Sequence, residues 1–181
     1  MKSRKTWREK MDNPKLPKLV PIPPRMQKRF GTGTMLLPSP NEIEAAMRTI
    51  PEGSVTTISQ IRSDLAARYQ AEVTCPLVTG IFVRIAAEAA EEDTRLGIPG
   101  TTPYWRVVRD DGSLMPKFPG GVEQQAQRLR AEGHRIVQGA GKRLPRLAAL
   151  SGPDAPTRPS RSLRDRRPSA ARGAAAGTRR P

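Results

Sequence analysis

Trp105-Arg106-Val107-Val108-Arg109-Asp110-Asp111-Gly112-Ser113-Leu114-Met115-Pro116-Lys117-Phe118 reads as two short apolar runs, Trp105 to Val108 and Leu114 to Phe118, flanking Asp110-Asp111-Gly112. An Asp-Gly pair between such runs is a strong β-hairpin signal, because glycine accepts the positive φ that tight hairpin turns demand. Helical patterns lie upstream. Pro40 opens the first, with Asn41 as its expected cap and Ile43, Met47 and Ile50 spaced by four and three along one face, before Pro51-Glu52-Gly53 ends it. Val55-Thr56-Thr57-Ile58 is a short β-prone link to Ser59, the expected cap of a second helix carrying Ile61, Leu65 and Tyr69. Pro76 stands where a first-turn proline is tolerated and opens a third helix, reaching Ala90, with Leu77, Ile81 and Ile85 on one face and Glu88, Glu91, Glu92 and Asp93 near its end. Downstream of the hairpin, Pro119-Gly120-Gly121 breaks the chain and Val122 to Glu132 forms a last amphipathic helix closed by Gly133. Two helices on a tight connection followed by a hairpin predict a fold that is mainly α with a small β hairpin, a winged helix-turn-helix.

The charge sits at the two ends. Of the net +15, residues 1–40 carry ten basic and two acidic side chains and residues 151–181 carry eight and two, leaving 41–150 almost neutral. Basic ends attract polyanions, of which nucleic acid is the commonest, with an anionic membrane surface the alternative and a solubilising role the plain one. The expected organisation is a basic, proline-rich lead-in over 1–39, a winged-helix domain over 40–145, and a disordered Arg/Ala/Pro-rich basic tail over 146–181. The lead-in reads as extended because of Pro14, Pro17, Pro21, Pro23 and Pro24. From Ser151 onward almost no large apolar residue is available to bury, so that stretch is read as a disordered arm able to add phosphate contacts.

One cysteine, Cys75, leaves no partner for an intramolecular disulfide, and one histidine, His134, leaves no Cys/His spacing of metal-site type. Neither a metal nor a cofactor is expected. No run of about 18 apolar residues and no signal-like apolar stretch is visible, so the expectation is a cytoplasmic or nucleoid-associated protein with no membrane partner.

The joint order of four segments resembles the DNA-binding domain of the alkylguanine-DNA alkyltransferase family over roughly residues 40–138. Ile50-Pro51-Glu52-Gly53-Ser54-Val55-Thr56-Thr57, continued by Gln60-Ile61, is similar to the family's Ile-Pro-x-Gly-x-Val-x-Thr approach to its helix-turn-helix. Gly80 with the small and apolar residues after it resembles the recognition helix, Pro103 with Arg106-Val107-Val108 and Gly112 resembles the frame of the active loop, and Gly120-Gly121 with Leu129-Arg130-Ala131-Glu132-Gly133 resembles the closing helix. In that family the loop reads Pro-Cys-His-Arg-Val, and the thiolate removes an alkyl group from a flipped-out guanine. Here Tyr104 stands in the cysteine's place and Trp105 in the histidine's.

These departures set the functional expectation. A phenol with a pKa near 10 is a poor nucleophile at neutral pH, and an indole nitrogen only donates. The family's relay asparagine falls near Ala87 and Glu88, while Glu132 matches its catalytic carboxylate and would here be a hydrogen-bonding or helix-end residue. The family's phosphate-rotating tyrosine matches Ile58. Its intercalating arginine falls near Leu77, which is either an apolar wedge between bases or a core residue. Arg84 is either a phosphate contact or part of a solvated face.

The resemblance therefore implies a non-enzymatic DNA-binding protein of the alkyltransferase-like type. Its expected DNA and base-pocket residues are Tyr104, Trp105, Arg106, Leu77, Gly80, Arg84, Thr57 and Glu132. Double-stranded DNA, alkylated or not, is the expected partner, together with repair proteins, and the chain is expected to act as a monomer. Tyr104 and Trp105 either stack on an extruded base or fill the pocket themselves. Two other readings stand beside this one: a protein-interaction scaffold on the same fold, and an alkyltransferase working through Cys75 at the start of the third helix.

Overall fold

In the computed structural model, which describes residues 5–139, 141 and 143–149, the chain is mainly helical with three small sheets. The order is α1 (Trp7–Met11), β1 (Lys18–Pro21), α2 (Pro24–Phe30), β2 (Thr34–Leu37), α3 (Pro40–Arg48), β3 (Thr56–Thr57), α4 (Ile58–Arg68), β4 (Val73–Thr74), α5 (Pro76–Arg95), a 3-10 turn (Tyr104–Arg106), β5 (Val107–Val108), α6 (Gly121–Ala131), β6 (Ile136–Val137) and β7 (Arg146–Leu147). The expected tail from Ser151 onward lies outside the described residues.

Helix starts follow local chemistry, two residues away from two of the expected caps. Ser39, not Asn41, caps α3 by accepting from the Glu42 amide at 3.2 Å, with Pro40 at the first helical position. Thr57, not Ser59, caps α4 by accepting from the Gln60 amide at 3.1 Å. The Ser59 hydroxyl instead donates to Asp110 at 2.6 Å and ties α4 to the turn after β5.

Helix α5 is the axis of the core and runs to Arg95 rather than ending at Ala90. Its inward face consists of Val83, Ala86, Ala87, Ala89 and Ala90, each wholly buried. These small side chains let α1, α3 and the 104–106 turn approach closely, and Ile43, Met47, Leu65 and Tyr104 fill the space around them. The expectation of Leu77 as a core residue is overturned: Leu77 is 72% exposed and Ile81 49%. The helix packs through its alanines, so its larger aliphatic residues point outward.

The lead-in is not an extended strap. Thr6 and Glu9 form a reciprocal capping box that starts α1, and β1 pairs antiparallel with β2. Strand β2 pairs in parallel with β4, Met35 opposite Val73 and Leu36 opposite Thr74, so residues before 38 build onto the turn that leads into α5. Met11, Ile22, Met35 and Leu36 are buried. The prolines shape the ends of short elements here, whereas the apolar residues between them supply the burial.

The expected hairpin is also replaced. Asp111 accepts from the Ser113 amide, the Gly112 amide donates to the Arg109 carbonyl, and the chain does turn back. Val107-Val108, however, pairs in parallel with Thr56-Thr57. The returning segment forms no strand, and its amides go elsewhere, Leu114 to the Pro145 carbonyl and Met115 to the Gln125 side chain. Strand β7, with Leu147 buried, pairs with β6, so the folded part extends past the expected boundary at 145.

Arg8 fastens α1 to the core. Its guanidinium donates to Asp93 on α5 through Nε at 2.9 and 3.0 Å and to Glu44 on α3 at 2.9 Å, and Glu44 also accepts from Arg48 and from Thr102. Burial works to raise the Glu44 carboxyl, but hydrogen bonds from Arg8 and Thr102 outweigh it and hold it below its ordinary value. Replacing Arg8 by Ala leaves two largely buried carboxylates without their cation and is expected to cost about 2 kcal/mol, less than a fully buried pair because Arg8 is partly exposed. Urea denaturation measures this, and an unchanged midpoint would show that the clamp adds nothing to stability.

Candidate nucleic-acid interface

The loop that carries the sequence's main departure is packed into the core. Thr102 and Pro103 are buried and lead into the 3-10 turn, which rotates Tyr104 inward to 1% exposure. Its ring meets Phe118 edge-on at 5.2 Å between centroids and Trp105 edge-on at 5.6 Å. Its hydroxyl donates to Glu91 Oε1 at 2.7 Å. Burial, followed by that bond to a carboxylate, pushes the Tyr104 phenol well above its usual range. At neutral pH it is a hydrogen-bond donor with no nucleophilic oxyanion. Arg128 of α6 pairs with the same carboxylate, and its guanidinium lies 4.6 Å from the Trp105 ring centroid and 5.3 Å from that of Tyr104.

Trp105 and Arg106 converge on Glu132 at the end of α6. The indole Nε1 donates to Oε1 at 2.7 Å, and Arg106 donates through Nε at 3.0 and 2.9 Å and through a terminal nitrogen at 2.8 Å. The other Arg106 terminal nitrogen reaches the Ile50 carbonyl at 2.7 Å, and the Gly53 amide donates to Glu132 at 3.4 Å. One carboxylate thus joins the 50–53 turn, the 104–106 loop and α6. Burial acts to raise the Glu132 carboxyl, yet the bonds from Arg106 and Trp105 prevail and hold it below its ordinary value. Buried Gln125 completes the frame, its amide nitrogen donating to the carbonyls of Trp105 and Val107.

A second group lies on the outer face of α5. Leu77, Gly80, Ile81 and Arg84 are exposed side by side, and a Cβ placed on Gly80 would meet nothing within 4 Å. Arg84 sits 3.6 Å from Glu88 in an exposed ion pair of little energetic consequence. Beside this face a groove of about 610 Å³ runs between α5 and the 116–120 segment, lined by Arg84, Glu88, Glu91, Lys117, Phe118 and Gly120.

The eight expected residues therefore divide. Tyr104, Trp105, Arg106 and Glu132 form one interlocked cluster. Leu77, Gly80 and Arg84 share one exposed face, which the groove connects to Glu91, the Tyr104 partner. Thr57 belongs to neither, because its hydroxyl is committed to capping α4 and the residue is buried. Cys75 is buried with Ile22, Met35 and Val73, a cluster separate from the one holding Tyr104. Sequence reasoning missed Glu91, Arg128 and Gln125 as partners of the loop. Each is one polar residue among many on an amphipathic helix, and only long-range packing singles it out.

Residues 38–134 match the protein family described as 6-O-methylguanine DNA methyltransferase, DNA binding domain. No curated protein and no solved structure matches the chain. Among the described residues, no helix is long and apolar enough to cross a membrane.

Substituting Glu132 by Gln removes the charge that Arg106 and Trp105 share and is expected to cost about 2 kcal/mol at neutral pH. The native carboxyl lies below its unfolded value, so its stabilisation is complete above about pH 4.5 and is lost as pH falls through the lower folded value. The Gln variant should therefore lose part of the acid dependence of stability. Denaturation midpoints across an acid pH series check this, and parallel curves for the two proteins would count against it.

Proposed function

The chain belongs to the 6-O-methylguanine DNA methyltransferase DNA-binding-domain family, and from that premise we propose that it binds duplex DNA without transferring an alkyl group. The outer face of α5 is presented to the duplex by the helical frame packed behind it. The observation that carries this reading is that exposed face, with Leu77 at 72% and Ile81 at 49% exposure beside Gly80 and Arg84. Apolar side chains on a helix can wedge against or between base pairs, small residues permit close approach, and arginine supplies phosphate contacts. The basic ends of the chain add sequence-independent attraction.

The loop supports the non-enzymatic half of the reading. Alkyl transfer needs a nucleophile whose deprotonated form is accessible and a neighbouring base. Tyr104 is buried, bonded to Glu91 and shifted away from ionisation, and Trp105 donates its only ring hydrogen to Glu132. Cys75 packs with apolar residues in a different cluster, which argues against a relocated nucleophile. Because the Tyr104 ring occupies the loop's interior, sensing of an alkylated base belongs to the neighbouring 610 Å³ groove. A repair-linked lesion sensor is thus a second reading, favoured by the size and polar lining of that groove. The scaffold alternative uses the same Leu77 and Ile81 surface for a protein partner.

Fluorescence anisotropy of the full chain with matched duplexes holding guanine or 6-O-methylguanine, over a salt series, tests the proposal. Duplex binding should weaken with salt, Leu77→Asp should lower affinity by about tenfold or more, and mass spectrometry should find no alkyl group on the protein. Tighter binding to the methylated duplex that survives rising salt supports the sensor reading. A chain shortened to residues 1–150 that loses all duplex binding favours the scaffold, and alkyl transfer to Cys75 overturns the non-enzymatic reading.

A further inference from the structure

Helix α1 lies outside residues 38–134, so the family match assigns it no part in binding. Its position is nevertheless fixed. Arg8 holds it to Asp93 and Glu44, its backbone amide donates to Glu92 at 2.9 Å, and Met11 is buried against the core. The clamp determines where the residues on either side of Arg8 must stand. Trp7 is half-buried against the core cluster and at the same time borders a groove of about 530 Å³ along the outer face of α5, together with Leu77, Gly80, Ile81, Arg84 and Lys117. Lys10, on the next turn of α1, places its ammonium 3.6 Å from the centroid of the Trp7 ring.

The chemistry of this groove has two parts. Its lining joins the apolar side chains of Trp7, Pro76, Leu77, Ile81 and Ile85 to the cations Arg84 and Lys117, and Lys10 adds a third cation over the Trp7 ring. Sugar–phosphate backbone has the complementary character, apolar deoxyribose faces alternating with anionic phosphates. An apolar lining of this kind buries the sugar edge while the cations neutralise the phosphates beside it, and aromatic rings make sequence-tolerant contacts with nucleic acid. An acidic protein helix would meet the same cations, but this strip borders the α5 face that the proposed function gives to the duplex, so DNA is the occupant these residues would meet.

We infer that Trp7 and Lys10 form a flank of the duplex-binding face, an addition to the family's domain that contacts the sugar–phosphate backbone beside the track of α5. The inference rests on the proposal that α5 faces DNA, and it adds a contact surface from a segment the family description does not include. The Arg8 clamp is then a positioning device: it touches no DNA and sets the register of Trp7 and Lys10 against α5.

The test uses the full chain carrying Trp105→Phe, which leaves Trp7 as the single tryptophan of the two in the sequence. Addition of a mixed-sequence duplex should change the Trp7 emission, and in the otherwise native chain Trp7→Ala should weaken duplex binding by about tenfold. Because Trp7 also packs against the core, Lys10→Gln provides a variant that leaves the Arg8 clamp intact. It should lower the magnitude of the slope of log K against log salt by about 0.9, the loss of one neutralised phosphate. Duplex binding with unaltered Trp7 emission, together with native affinity for Trp7→Ala and a native salt slope for Lys10→Gln, overturns this inference and leaves α5 as the binding element. Absence of duplex binding by the native chain overturns both readings, and Trp7 emission that responds to an acidic peptide but not to the duplex assigns the strip to a protein partner instead.

Discussion

The close approach permitted by the alanine face of α5 is the constraint on which the rest of the molecule depends. Small side chains bury little area each, so apolar transfer alone returns less here than a leucine-rich face would. The shortfall is met by what the small residues admit. Tyr104 enters from the loop, Met47 and Ile43 from α3, and α1 comes close enough for Arg8 to span two carboxylates. The same geometry turns the larger residues of α5 outward, and Leu77 and Ile81 are left uncovered because the helix has already buried its other side. Core packing and the candidate interface are two consequences of one distribution of side-chain sizes along a single helix.

At the two loop positions where the sequence resemblance puts the family's reactive residues, other side chains stand. The position a thiolate would occupy holds a phenol drawn inward and bonded to Glu91, and the position of a base holds an indole that donates to Glu132. Both side chains have become parts of the frame. Arg106 and Arg128 complete it, one paired with Glu132 and the other stacked near both rings. On our proposal the domain has exchanged transfer for binding, with the loop contributing rigidity to the surface beside it.

Much of this was legible in local sequence. Pro40 and Pro76 marked two helix starts, Gly133 with its positive φ followed the last helix, and Glu132 read as a hydrogen-bonding group at a helix end. The errors share a physical origin in long-range pairing. Val107-Val108 looked like half of a local hairpin, yet its ladder partner lies at Thr56-Thr57, a choice that no turn signal encodes. Proline spacing suggested an extended lead-in, whereas Met35 and Leu36 found Val73 and Thr74 across the chain. On α5, helical periodicity favoured the large aliphatic face, and only the three-dimensional demand for close helix approach reverses that preference. The caps of α3 and α4 were misplaced by two residues because Ser39, Asn41, Thr57 and Ser59 are all competent acceptors, and the surrounding structure selects among them.

The most direct measurement of whether α5 carries the interface while the loop serves as frame is an NMR titration of the full chain with duplex DNA, following the methyl signals of Leu77 and Ile81 and the indole N–H of Trp105. The expected result is that both methyl groups shift progressively with added duplex while the Trp105 N–H, held by Glu132, keeps its position. Movement of the Trp105 signal with Leu77 and Ile81 unaffected would contradict it, because the loop would then be the element that opens to receive DNA.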